Sequence, residues 1–221
     1  MSYENTILNK EIINYIHSYF SVEDDFLKQL KQDSIKFGLP EITISPEQGA
    51  FLQFLIKATK AKNILEIGSL GGYSAITMAK ALPENGHLIA VEHISKYCDF
   101  IRNKTNQAGL SNIEVINKPG IKFLKEYDGK YIFDIIFIDA DKNEYKDYFE
   151  LSEKYLKNSG IFIADNALAF GEITNPNPIW DKHDPKDIKS IQKFNLYLKS
   201  RNDYFTILLP IGDGFLIALK K

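Results

Sequence analysis

Hydrophobic and polar positions change their period along this chain. From residue 63 onward, short apolar runs alternate with segments whose apolar residues recur every three or four positions. The runs Asn63–Ile67, His87–Glu92, Ile113–Asn117, Ile132–Ile138 and Gly160–Asp165 read as strands. Several are apolar on both faces, the mark of a buried parallel sheet. Gly72–Leu82, Ser95–Ala108, Ile121–Tyr127 and Glu144–Leu156 lie between them with helical spacing. Such alternation predicts right-handed βαβ crossovers and a doubly wound α/β sheet. The end of the chain breaks the rhythm. Tyr204–Leu209, then Pro-Ile-Gly-Asp-Gly, then Phe215–Leu219 predicts two strands joined by a tight reversal, an antiparallel hairpin at one edge.

Ahead of residue 63 the pattern is helical over Leu8–Phe20, Glu23–Phe37 and Pro46–Thr59. The last of these has a full start signal: Ser45 as N-cap, Pro46 at the first helical position and Gln48 to complete a capping box. The reading is a single domain over 1–221, with 1–45 an N-terminal helical extension and 46–221 the core. Ala167–Asp187 has no pattern and contains Asn175-Pro-Asn-Pro178. A stretch of that kind inside a compact domain is expected to be a lid or binding loop.

Composition narrows the function classes. The 221 residues are 44% hydrophobic, with a net charge of −2 and no basic block, so neither nucleic acid nor a membrane surface is an expected partner. The two arginines, Arg102 and Arg201, are too few for a phosphate clamp. One cysteine, Cys98, excludes an intrachain disulfide and a cysteine-based metal cluster. The four histidines show no ligand spacing, and no apolar run reaches the roughly 20 residues of a spanning helix. The N-terminus has no basic segment followed by an apolar one, and the expected location is the cytoplasm.

The chemistry gathers where apolar runs stop. Phe137-Ile-Asp139-Ala-Asp141-Lys142 and Phe162-Ile-Ala-Asp165-Asn166 each end a strand on hard oxygen donors. If the two strands are neighbours, about 4.8 Å apart, then Asp139, Asp165 and Asn166 surround one point. Two carboxylates and an amide suit Mg²⁺ first, then Mn²⁺ or Ca²⁺, rather than zinc. Helix capping by Asp139 and Asp165 is the alternative use of those side chains. The first βα turn reads Glu66-Ile-Gly68-Ser69-Leu-Gly71-Gly72-Tyr-Ser74. Its glycines permit a sharp turn and close approach of a ligand, but the spacing is not that of a dinucleotide fingerprint. Glu66 beside the turn would repel a pyrophosphate and suit a ligand bearing ammonium and sulfonium groups. Glu92 ends the second strand 26 residues later, where a carboxylate can accept both ribose hydroxyls.

Together these residues give a specific likeness. Leu65-Glu-Ile-Gly68, Gly72-Tyr-Ser74, Val91-Glu92, Phe137-Ile-Asp-Ala-Asp-Lys142, Asp165-Asn166 and Leu209-Pro-Ile-Gly-Asp-Gly214 resemble the cation-dependent, class I S-adenosylmethionine O-methyltransferases of the caffeoyl-CoA and catechol O-methyltransferase family. The likeness runs from about Ser45 to the C-terminus. It implies a Rossmann-like, seven-stranded, mostly parallel sheet whose last strand is antiparallel, and a homodimer. It implies S-adenosylmethionine bound by Glu66, Gly68, Ser69, Gly72, Ser74, Glu92, Gly120 and Asp141. It implies a divalent cation on Asp139, Asp165 and Asn166, with Asp139 and Lys142 beside the acceptor hydroxyl of a phenol or catechol. Three positions depart from the plant enzymes: Gly120 for an alanine, Ile44 for a threonine near the cofactor, and Phe170 for an asparagine that contacts the substrate. The last departure weighs against a CoA ester. Phe170 and Trp180 could wall in a flat substrate. Competing readings are the same fold acting on an RNA nucleoside or another tailoring hydroxyl, a dinucleotide oxidoreductase, and a binding protein without turnover.

Overall fold

In the computed structural model, which describes residues 8–179 and 183–221, the alternating runs form one seven-stranded sheet. Strands β1 (Asn63–Ile67), β2 (His87–Glu92), β3 (Ile113–Asn117), β4 (Phe133–Ile138) and β5 (Leu156–Ala164) pair in parallel. With β6 (Tyr204–Leu209) and β7 (Phe215–Lys220) the order across the sheet is β3-β2-β1-β4-β5-β7-β6. Strand β7 runs antiparallel to both of its neighbours, β5 and β6. The expected antiparallel hairpin is present, with its first strand at the edge and its second inside. Strand order reverses between β1 and β4, and such a switch point opens a crevice at the carboxyl ends of the strands.

Side-chain alternation splits the sheet residues between two cores. Ile64, Ala90, Ile135, Phe137 and Ile163 face Leu27 and Leu30 of α2 (Asp25–Phe37), Leu52 and Ile56 of α3 (Pro46–Thr59) and Ile76 of α4 (Tyr73–Ala79). Leu65, Ile67, Val91, Ile136, Ile138 and Phe162 face Phe123 of α6 (Gly120–Glu126), Phe149 of α7 (Tyr145–Ser152) and Phe194 of α8 (Pro185–Ser200). Both faces are covered, which is why these strands are apolar throughout. Helix α5 (Ser95–Gln107) packs on β2 and β3, and α1 (Lys10–Phe20) lies on α3 with none of its residues buried. Among the described residues no helix is long and apolar enough to cross a membrane.

Local signals explain most of the boundaries. The Ser45–Gln48 capping box forms in full, with Pro46 in the first turn of α3. Asn9 and Asp24 cap α1 and α2, and Gly38 ends α2 in the left-handed region. Three segments differ from the sequence reading. The expected helix Glu144–Leu156 is shorter, flanked by 3₁₀ turns at Lys142–Glu144 and Glu153–Tyr155. The chain is already in β5 at Leu156, which pairs with Phe133, and then detours through exposed Lys157, Asn158 and Ser159 before Ile161 pairs with Ile135. Helix α8 begins at Pro185, inside the stretch read as a loop to Asp187. Its signals are legible in retrospect: Asp184 caps it, Pro185 opens it, and buried Ile188, Ile191, Phe194 and Leu198 follow helical spacing. Trp180 lies outside the described residues.

Phe149 anchors the second core. It is fully buried, with Phe162 and Tyr204 edge-on at ring distances of 5.0 and 5.2 Å. Truncation leaves a cavity that close-packed neighbours fill only in part. Phe149→Ala is expected to cost about 3–5 kcal/mol, read as a lower urea midpoint at an unchanged slope.

A candidate active site at the carboxyl ends of the strands

Register assembles the site. Parallel pairing sets Ile67 beside Val91 and Ile138, and Ile138 beside Ala164. The next residue on each strand therefore falls in one row: Glu92, Gly68, Asp139 and Asp165, spaced about 4.8 Å from strand to strand. The ladder carries on past the strand ends. Gly68 N–H donates to the Val91 carbonyl at 2.9 Å, Asp139 N–H to Ile67 at 3.0 Å and Asp165 N–H to Ile138 at 3.0 Å. The row shares its face with Ala90, Glu66, Phe137 and Ile163 two residues earlier, the face that α2, α3 and α4 cover. Gly68 has φ +92°, and a Cβ there would lie 2.0 Å from the Asp139 carbonyl oxygen. Only a glycine lets the two strand tips close up.

A cavity of about 900 Å³ opens over this row. Nine of the residues singled out in the sequence line it: Gly68, Glu92, Gly120, Asp139, Asp141, Lys142, Asp165, Asn166 and Phe170. Ser69 and Ser74 line a small adjoining recess that shares Gly68 and Asp139 with it. Glu66 and Gly72 line neither. Glu66 is fully buried beneath the turn, where Oε2 accepts from Ser69 Oγ at 2.6 Å and Oε1 has no hydrogen-bond partner among the described residues. Burial pushes its carboxyl up to about 7, against the lowering effect of the Ser69 and Ser74 hydroxyls. Gly72 starts α4 at φ +79°, pressed against Ile101. Glu92 is held by backbone amides: Leu70 N–H at 3.0 Å and Ile94 N–H at 2.8 Å. Each carboxylate oxygen keeps a second lone pair.

On the other side of Gly68, Lys142 Nζ donates to Asp139 Oδ1 and Tyr145 Oη, both at 2.8 Å. Burial alone would lower the Lys142 pKa, but the Asp139 carboxylate and Tyr145 outweigh it and hold the amine above its ordinary value. Asp165 Oδ1 accepts from Gln48 Nε2 at 2.8 Å and from Asn166 N–H at 2.7 Å. Burial, and then the nearby Asp139 charge, raise the Asp165 carboxyl well above the usual carboxylate range. Asn166 donates its Nδ2 to Asp213 at 3.0 Å.

These bonds leave Oδ2 of Asp139, Oδ2 of Asp165 and Oδ1 of Asn166 with no hydrogen-bond partner among the described residues. A buried carboxylate, a part-exposed one that repels it and an amide oxygen beside them fit a hard divalent cation. Among the described residues no three His, Cys, Asp or Glu side chains form a metal cluster; the third donor of this set is an amide. Asp141 caps the 3₁₀ turn after β4 by accepting from Asn143 N–H at 3.3 Å, and that leaves Asp139 free of the capping role.

The structure adds residues that the sequence did not single out. His183, one of the four histidines without ligand spacing, stacks on Phe170 at 3.7 Å between ring centres and 7° between planes, and both rings line the cavity. Ile42 and Thr43, just ahead of α3, line it too. Tyr145 carried a weak signal, one helical turn beyond Lys142. His183 carried none, because the stretch between it and Phe170 has no apolar period that would set one ring on the other.

Comparison with known proteins agrees with this geometry. A family model described as O-methyltransferase matches residues 17–221. A catechol O-methyltransferase of Niastella koreensis is 34% identical over 98% of this chain and 100% of its own length. A caffeoyl-CoA O-methyltransferase of Populus trichocarpa is 31% identical over 91% of this chain and 84% of its own. The crystal structure of an O-methyltransferase from Bacillus cereus in complex with SAH superposes with a TM-score of 0.86 at 30% identity, covering 96% of this chain and 97% of that one.

A side chain at position 68 must push the tips of β1 and β4 apart. Gly68→Ala is expected to cost about 2 kcal/mol or more from the left-handed backbone and the carbonyl clash, measured by thermal unfolding. An unchanged midpoint would show that the row of strand tips is not held this tightly.

Proposed function

The chain belongs to the O-methyltransferase family and is an S-adenosylmethionine-dependent enzyme; we propose that it methylates a hydroxyl of a catechol-like or phenolic small molecule with a divalent cation on Asp139, Asp165 and Asn166. The observation that carries this reading is the single row of strand tips. It brings two carboxylates and a free amide oxygen onto one cavity wall, with Glu92 on one side and Lys142 on the other. Mg²⁺ is the proposed ion, with Mn²⁺ and Ca²⁺ chemically admissible on the same donors. Held by these donors, such a cation would supply Lewis-acid chemistry, lowering the pKa of the acceptor hydroxyl.

The reaction is a displacement at carbon. The acceptor oxygen bonds to the methyl carbon as the carbon–sulfur bond breaks, a neutral thioether leaves, and the hydroxyl proton is lost to solvent. This chain's residues supply position and charge. Glu92 accepts from the donor's ribose. Gly68, Ser69 and Gly120 present backbone, Ser74 and Asp141 hydrogen-bond to the donor, and Gly72 shapes the turn. Glu66 beneath that turn supplies negative potential toward a sulfonium. Asp139 belongs to both sets: it faces the acceptor and holds Lys142. The Lys142 ammonium, fixed by Asp139 and Tyr145, faces the negative charge that grows on the acceptor oxygen. Holding the two reacting atoms together in line removes much of the entropic barrier.

The acceptor side supports a flat, uncharged ring. Phe170 and His183 offer a stacked aromatic wall. The cavity wall carries six carboxylates, Glu92, Asp139, Asp141, Glu144, Asp165 and Asp187, against Lys118 and Lys142. That balance disfavours a polyanion, whether a CoA ester or RNA. The relative from Niastella koreensis named for catechol supports the same acceptor class. We treat residues 1–221 as one methyltransferase domain, and propose a homodimer. The dimer is supported by exposed Tyr15, Tyr19 and Phe20 on α1, a helix with no buried residue, and sedimentation velocity on the full chain tests it.

A methylation screen over catechols, flavonoids and hydroxycinnamoyl thioesters, with and without EDTA, tests the function. Activity should appear on the uncharged catechols and flavonoids and not on the CoA thioesters, be lost with EDTA and return with Mg²⁺; full activity after exhaustive chelation sinks the cation. Asp165→Ala should abolish the metal-dependent rate while S-adenosylhomocysteine affinity by calorimetry stays within about threefold. Glu92→Ala should do the reverse, weakening that affinity about 10–100-fold through lost charge-assisted hydrogen bonds and sparing Mn²⁺ binding.

A further inference from the structure

The β6–β7 turn, Pro210-Ile-Gly-Asp-Gly214, holds a carboxylate that the mechanism above does not use. Asp213 is half-buried and stands behind the cavity wall rather than on it. Its Oδ2 accepts from Asn166 Nδ2 at 3.0 Å, and both its oxygens accept from Phe170 N–H, at 3.1 and 3.0 Å. The turn's backbone grips the same segment: Ala167 N–H donates to the Gly214 carbonyl and Leu168 N–H to the Asp213 carbonyl, each at 2.9 Å. The gripped residues need holding. Asn166, Ala169 and Phe170 have φ of 55°, 52° and 59°, left-handed values that a β-carbon makes unfavourable, least so for the asparagine.

An asparagine amide has a donor end and an acceptor end, and rotation by half a turn exchanges them. An ionised carboxylate only accepts, so it can bind only the donor end. Asp213 therefore fixes which end of Asn166 faces the cavity, and that end is the oxygen. Its remaining acceptor capacity goes to the peptide of Phe170, whose ring stacks with His183 on the acceptor wall. We propose that Asp213 is a positioning residue for methyl transfer: it turns the Asn166 amide oxygen toward the cation and, through the same carboxylate, sets the Phe170 turn that walls in the acceptor. This rests on the assignment of Asn166 as a cation ligand. The rival account is a carboxylate that only stabilises a hairpin.

The test is Asp213→Asn in the full chain, with Mn²⁺ affinity read by electron paramagnetic resonance. The new amide has one oxygen in place of two, so in either orientation its NH₂ meets the Phe170 N–H donor to donor, and the charge that favours the donor end of Asn166 is gone. Mn²⁺ affinity should drop at least about tenfold, as for other partners of metal ligands, and the KM for catechol should rise. S-adenosylhomocysteine affinity by calorimetry should stay within about twofold, which also certifies folding. Asn166→Ala should lose Mn²⁺ affinity, and adding Asp213→Asn to it should lose no more, because the two act through one contact. Wild-type Mn²⁺ affinity in Asp213→Asn, or a loss that adds in full to that of Asn166→Ala, overturns the proposal while leaving the cation reading intact. Absence of Mn²⁺ binding in the wild-type chain overturns both. If Asp213→Asn does not fold, Asp213→Glu carries the same test, since it keeps the charge but moves it by one methylene; unaltered Mn²⁺ binding in that variant is equally fatal.

Discussion

Parallel register at the tips of β2, β1, β4 and β5 is the constraint on which the site depends. Side chains alternate with a period of two, so a slip of one residue in any pair would turn a functional group to the opposite face. Register is fixed because both faces are buried: moving Phe137 or Ile163 by one place would exchange it between two cores already filled. The same packing that stabilises the sheet thus sets Glu92, Gly68, Asp139 and Asp165 in one row. Gly68 is the row's weak point and its requirement at once, because the Asp139 carbonyl occupies the space any Cβ would need.

That row is electrostatically costly. Glu66, Glu92 and Asp165 are buried carboxylates, and the sheet holds Asp139 close to them. Burial raises the pKa of Glu66 and Asp165, and each charge adds to the strain on its neighbours. Partial relief comes from Lys142, from the Ser69 hydroxyl and from backbone amides at Leu70, Ile94 and Asn166. A site of this kind spends folding stability on negative potential, and it favours ligands that bring positive charge. A sulfonium donor and a divalent cation both do so, which gives one physical reason for the two halves of the proposed function.

Two segments remote in sequence brace the row from outside the sheet. Gln48 accepts from Ser45 N–H at the start of α3 and donates to Asp165, so a helix cap and a proposed ligand share one side chain. Gly212 sits where a Cβ would meet Gln48 Oε1 at 2.3 Å, so the β6–β7 turn closes against that same glutamine. Asp213 from this turn then reaches Asn166 and Phe170. The antiparallel hairpin therefore does more than finish the sheet: it carries the brace to the end of β5.

The parallel core, the antiparallel ending, the capping box of α3 and the residues that fall at the strand tips are legible in the linear chain. Each of these is written in local periodicity or in turn chemistry, which act over a few residues. The linear chain left α8 unread: the turn-rich residues before Asp184 mask a helix whose apolar spacing is plain once its start is known. Packing, and not local pattern, places Glu66 under the glycine turn instead of on the cavity wall, stacks His183 on Phe170, and brings Gln48 and Asp213 into hydrogen bonds with Asp165 and Asn166. These contacts join residues as far as 117 positions apart, and their geometry follows from how helices and turns pack on the finished sheet. No periodicity encodes that, because each such contact exists only after both partners have been buried in place.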